Sequence, residues 1–199
     1  MHGLINRAVQ CFLRDAYGAD TWRAVAADAG IGANGFEAML SYDDTLTDAL
    51  LVAAVQRLDR PCEQILEDLG TFLVSHPSFE GLRRLLRFGG VGFVDFLFSL
   101  DDLPGRGRLA VPDLDLPQLE MIEDDGTAGR YRLLCRARHQ GFGHVMLGVL
   151  RAMADDYGAL ALLEHRHTDE DAAIIDIHLL DQRHASGRAF DLAEGWRGG

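Results

Sequence analysis

The side chains in this sequence best equipped for chemistry are histidines, cysteines and paired acids. Cys135, His139 and His144 lie close together, and thiolate and imidazole are common ligands of a transition metal. Their spacing matches no standard zinc pattern, and a fourth donor is missing. On a strand, alternate residues share a face, so Cys135, Ala137 and His139 are expected on one side. Among the histidines, His139 is thus the one set beside Cys135 and Ala137. It is a weak candidate metal ligand. His165 and His167 share a second face beside Arg166 and Asp169, which predicts solvent exposure. His76 precedes Pro77 and marks a helix end, and His2 belongs to a mobile terminus. The acid pair Asp43-Asp44 sits where it would cap a helix and favour its dipole, and Asp155-Asp156 reads as a solvated face near a helix end. Asp101-Asp102 is a third such acid pair. No nucleophile beside a base, phosphate loop or Walker-like motif is present, so the expectation is a binding domain and not an enzyme.

The elements that must position these residues divide the chain into a helical half and a mixed half. Leu4, Ile5, Ala8, Val9, Phe12 and Leu13 recur at helical spacing, and Tyr17-Gly18 supplies a stop. A second helix is predicted from Asp20, its cap, to the Gly30-Ile31-Gly32 breaker. A third begins at Asp43-Asp44 and ends before Arg60-Pro61. A fourth runs from Glu63 to Leu73 and stops before Pro77, because the residue preceding proline is pushed out of helical geometry. Residues 91–103 are apolar on almost every side and predict a buried helix, broken by Pro104, Gly105 and Gly107. Beyond them the period changes. Residues 119–122 and 131–137 read as strands joined across a turn, followed by a helix over 142–157 and strands over 160–165 and 173–180. The helix carries Val145, Met146, Leu147 and Leu150 as an apolar stripe. The expected class is α+β, with a helical part (1–103), an antiparallel sheet with one long helix (117–182) and a tail (183–199).

Composition narrows the function. At 199 residues, 48% hydrophobic and 25% charged, the chain can bury one sizeable core or two small ones sharing an interface. Its net charge of −12 repels phosphate backbones and disfavours nucleic acid. Cys11, Cys62 and Cys135 are odd in number and far apart, which argues for reduced thiols and a cytoplasmic setting. Neither an export signal nor a membrane-length apolar run is expected.

Three stretches resemble the haem-nitric oxide/oxygen binding (H-NOX) family. They are 1–8 with Tyr17-Gly18 and Trp22, then 96–104, and then 135–142, in that order and across the same change from helix to sheet. The resemblance covers roughly residues 1–182. It implies a b-type haem between the helical and the mixed parts, an axial histidine on the iron, a Tyr-x-Ser-x-Arg motif on the propionates and gas on the opposite face. It also implies partners such as histidine kinases or cyclic-dinucleotide signalling enzymes. Carried over by position, the axial histidine is Pro104, which has no lone pair to offer, and the propionate positions are Cys135, Ala137 and His139. Ile5 falls over the gas face, and Met146 belongs to the pocket stripe. The expectation is therefore a sensor domain of this fold holding another apolar or tetrapyrrole-like ligand. The alternative is a haem-free interaction scaffold whose cavity is filled by side chains.

Overall fold

A computed structural model describes the chain except for residues 33, 125, 140, 168–171 and 190–199. Helix α1 (Gly3–Tyr17) is capped by His2, whose Nδ1 accepts the Leu4 N–H at 3.2 Å, and it ends at Gly18 with φ +95°. His2 is thus buried and structural, not the mobile terminus expected. Helix α2 (Ala19–Asp28) starts one residue before Asp20, which pairs with Arg23 in the first turn instead of capping. Helix α3 (Asp44–Leu58) is capped by Asp43, which accepts the Thr45 N–H at 2.9 Å as predicted. Helix α4 (Cys62–Ser75) stops at His76, ahead of Pro77. These four helices enclose a first core around Phe12, Leu13, Val25, Leu50 and Ile65.

Helix α5 (Glu80–Arg87) has no counterpart in the sequence reading, because two turns are too short to establish a period. The apolar run starts as helix α6 at Phe93 (Phe93–Ser99), and Val91, 95% exposed, lies outside it. A 3₁₀ turn (Leu100–Asp102) leads into helix α7 (Leu103–Ala110). Pro104 therefore opens a helix where it was expected to break one. At the first turn the missing N–H is no loss and the fixed φ is already helical. Asp101 tethers this region, accepting the Met121 N–H at 2.7 Å.

Strands β1 (Gln118–Glu123), β2 (Arg130–Arg136), β3 (Leu160–His167) and β4 (Ala172–Asp181) form one sheet in the order β1-β2-β4-β3, every pair antiparallel. Helix α8 (Phe142–Tyr157) connects β2 to β3, and its Leu147, Leu150 and Met153 share a second core with Leu133, Ile175 and Ile177. The expected α+β fold is what forms. The two cores meet where α8 crosses α4. A Cβ on Gly148 would collide with the Glu67 carbonyl and one on Gly70 with that of Val145, so both glycines permit this close approach.

The polar anchor of the second core is Asp156. Expected on a solvated face, it is 5% exposed and receives the Arg83 guanidinium at 2.9 Å and that of Arg87 at 3.4 Å, while Asp155 alone faces solvent. Its partners lie on α5, too far away in sequence for local pattern to disclose. Part of the expected tail docks here as well. Ala185 and Arg188 donate backbone N–H groups to the Gly158 and Asp156 carbonyls, and Ala189 accepts from Arg83; residues 190–199 lie outside the described chain. No described helix is long and apolar enough to cross a membrane.

Candidate functional site

Between the two cores lies a cavity of about 290 Å³ with walls that are apolar throughout. Helix α1 contributes Leu4, Ile5 and Ala8, one stripe at helical spacing, and α4 adds Leu69 and Leu73. Leu82, Leu85 and Leu86 come from α5, and Leu103, Pro104 and Gly107 from α7. Val145, Met146 and Val149 close it from α8. Of the predicted site residues, the fold thus brings Ile5, Pro104 and Met146 together here. The apolar stripe on α8 is split, since Leu147 and Leu150 turn into the second core instead.

Cys135, Ala137 and His139 do not join the cavity. Strand β2 ends at Arg136, so the expected alternation of faces stops before Ala137. Cys135 is 2% exposed in the second core, and burial pushes its thiol up to about 12. Ala137 and His139 instead line an adjoining open groove of about 370 Å³, with Arg108, Asp115, Arg136 and Arg138. Leu116, Pro117 and Phe142 belong to both spaces and form the partition. His139 Nε2 lies 3.3 Å from Asp44 and Arg138 3.2 Å from the same carboxylate, tying the groove to the start of α3. A hydrogen bond from the Met1 ammonium, then the nearby His139 and Arg138, hold Asp44 below the usual carboxylate range. Arg136 pairs with Glu120 at 2.8 Å. Arg108 donates its Nε to the Pro104 carbonyl at 3.2 Å and, among the described residues, has no carboxylate partner. Arg108, Leu116 and Phe142 carried no signal in the sequence, because only the turn between α7 and β1 brings them together.

The remaining candidates are structural. His165, expected in solvent, faces α8 and stacks on His144 with ring centroids 4.0 Å apart, and His144 Nδ1 is 3.8 Å from Glu67. The side chain of His167 lies outside the described set, as does Asp169. Among the described residues no three His, Cys, Asp or Glu side chains gather as a metal site, so Cys135, His139 and His144 remain apart.

These residues do not fit haem. The ring of Pro104 stands in the cavity wall where the resemblance puts an imidazole, and Met146 supplies only a thioether, with no opposing imidazole among the described residues of the wall. Two propionates would find no polar side chain among the described residues of the cavity wall, and the adjoining groove offers one guanidinium without a carboxylate, Arg108, in place of a Tyr-x-Ser-x-Arg set. The cavity volume lies at the small end of ligand pockets, which run roughly 300–1,000 Å³, short for a planar metal macrocycle.

Comparison with known proteins gives three concordant findings. A family model described as haem-NO-binding matches residues 2–165. Soluble guanylate cyclase 89Db of Drosophila melanogaster is 24% identical over 162 residues, covering 80% of this chain and 24% of its own length. Soluble guanylate cyclase gcy-31 of Caenorhabditis elegans is 24% identical over 156 residues, covering 78% and 22%. The chain thus spans about a quarter of the length of the curated relatives it matches. An H-NOX protein from S. oneidensis in the Fe(II) ligation state superposes with a TM-score of 0.78 at 16% identity, over 92% of this chain and 97% of that one. The Fe(II) unliganded H-NOX protein from K. algicida gives 0.72 at 18% identity, over 96% and 100%. At such identities the superpositions show a shared fold.

Proposed function

This chain belongs to the haem-NO-binding family, and from that premise we propose that it is a sensor domain responding to an apolar ligand in place of haem and its gases. The observation that carries this reading is the wholly apolar cavity with Pro104 in its wall. An apolar molecule that fills it gains dispersion contacts and costs the wall no hydrogen bonds to water. The domain performs no reaction of its own. Its output passes to a signalling enzyme, either separate, of the histidine-kinase or cyclic-dinucleotide type, or on the same chain, as in the guanylate cyclases it resembles. The proposed compartment is the cytoplasm, from the odd set of free cysteines.

Helix α5 is the element suited to report occupancy. One face meets the ligand through Leu82, Leu85 and Leu86, and the other holds Asp156 and the 185–189 segment through Arg83 and Arg87. The test is titration with a neutral naphthylamine fluorophore. One equivalent is expected to bind with a blue-shifted emission. At a hundredfold excess over Kd it should add about 2.7 kcal/mol of stability, or roughly 5–10 °C in Tm. A protein that binds none would instead be the interaction scaffold with a filled interior.

A further inference from the structure

The cavity does not end in solvent at random; it adjoins the groove carrying Arg108, Arg136, Arg138 and His139, with only Leu116, Pro117 and Phe142 between them. From this juxtaposition we infer that the ligand is a single-chain amphiphile with one anionic head, its alkyl chain in the cavity and its head in the groove beside Arg108. The inference rests on the sensor reading above and names its ligand class.

Three features converge. The chain as a whole carries −12, whereas this groove gathers three arginines and a histidine, and the acids around it, Asp115, Asp44 and Glu120, balance them without excess. Charges act over about a Debye length, roughly 8 Å at physiological salt, so this local set governs what docks there. Arg138 and His139 are already shared with Asp44 and Arg136 with Glu120, which leaves Arg108 as the cation without a carboxylate among the described residues. Its guanidinium presents a planar fork to a carboxylate or phosphate. Finally, the partition is soft. Leu116 and Phe142 are only half-buried and belong to both spaces, and Leu116 packs over Gly107 of α7, where any Cβ would crowd it. In this proposal the alkyl chain passes from cavity to groove by displacing Leu116 and Phe142 beside the buried, fixed Pro117.

The experiment uses one chain with three heads: dodecanoate, dodecanol and dodecyltrimethylammonium, each below its micellar limit, displacing the neutral fluorophore. The expected order of affinity is anion, alcohol, cation, with the anion's advantage shrinking as salt rises. Shortening the acid stepwise to octanoate should weaken binding about fourfold per methylene, the value for burying one CH₂. Arg108→Gln should reduce dodecanoate affinity about three- to fivefold, the scale of an exposed ion pair, and leave dodecanol unchanged. Asp115→Asn should strengthen dodecanoate alone. Arg108 and Asp115 are both exposed, so neither change threatens folding. If dodecanol binds as well as dodecanoate, or Arg108→Gln weakens both equally, the anionic head is wrong and the apolar sensor stands. If neither amphiphile nor the fluorophore binds, the sensor reading itself falls, and this inference with it. An alkyl phosphate run beside dodecanoate decides between phosphate and carboxylate heads.

Discussion

Replacing Ala8 with leucine places a larger side chain in the cavity wall opposite α8. The cavity of about 290 Å³ leaves room for it. Ala8→Leu fills a fraction of that space. Three additional carbons transfer from water at about 0.8 kcal/mol each, and ordering the new side chain costs about 0.5–1 kcal/mol. The net expectation is a gain of about 1.5 kcal/mol, seen as a rise in Tm of roughly 3–6 °C for a domain of this size. Thermal and urea unfolding of the ligand-free variant measure it, and the same protein should bind the neutral fluorophore more weakly than the parent. A destabilisation of about 1–3 kcal/mol, the signature of overpacking, would refute the reasoning, because it means that the space beside Ile5 is already filled.

Three further outcomes follow from the packing. Asp156→Ala leaves Arg83 and Arg87 without their buried counter-charge and should cost about 3–5 kcal/mol, read by urea midpoint. Arg83→Met combined with Asp156→Leu should recover much of that loss. Gly148→Ala forces α8 away from the Glu67 carbonyl on α4 and should destabilise by about 1–3 kcal/mol, whereas Gly105→Ala, on an open surface, should not. The Cys135 thiol is raised from 9.0 in the unfolded chain to about 12 in the fold, so its contribution is complete below pH 9 and is lost as pH climbs toward 12. Urea midpoints measured across that window should fall less steeply for Cys135→Val, and at pH 8 iodoacetamide should spare Cys135 in the folded protein.

Much of the scaffold was legible because its determinants are local. Asp43 capping α3, Pro77 ending α4 and the 142–157 helix between alternating strands are each set by neighbours within a turn or two. The resemblance added where Ile5, Pro104 and Met146 would meet, and all three line one cavity. What escaped depends on contacts distant in sequence. The burial of Asp156 is decided by Arg83 and Arg87 on a helix too short to show a period, and the inward turn of His165 by His144 on α8. Pro104 was misread because a proline that breaks a helix interior is equally suited to a first turn, and only the 3₁₀ turn before it shows which applies. His139 was placed on a strand that ends three residues earlier, so its true partner, Asp44, was out of view.

The central claim, a family fold whose cavity no longer serves haem, is tested most directly by titrating haemin into the purified protein and following the Soret band. No saturable component is expected, the spectrum staying that of free haemin at one equivalent, and Pro104→His, which restores an imidazole at the cavity wall but neither the volume nor the propionate partners, should still form no tight complex. A sharp, stoichiometric Soret band in the unaltered protein would contradict that claim.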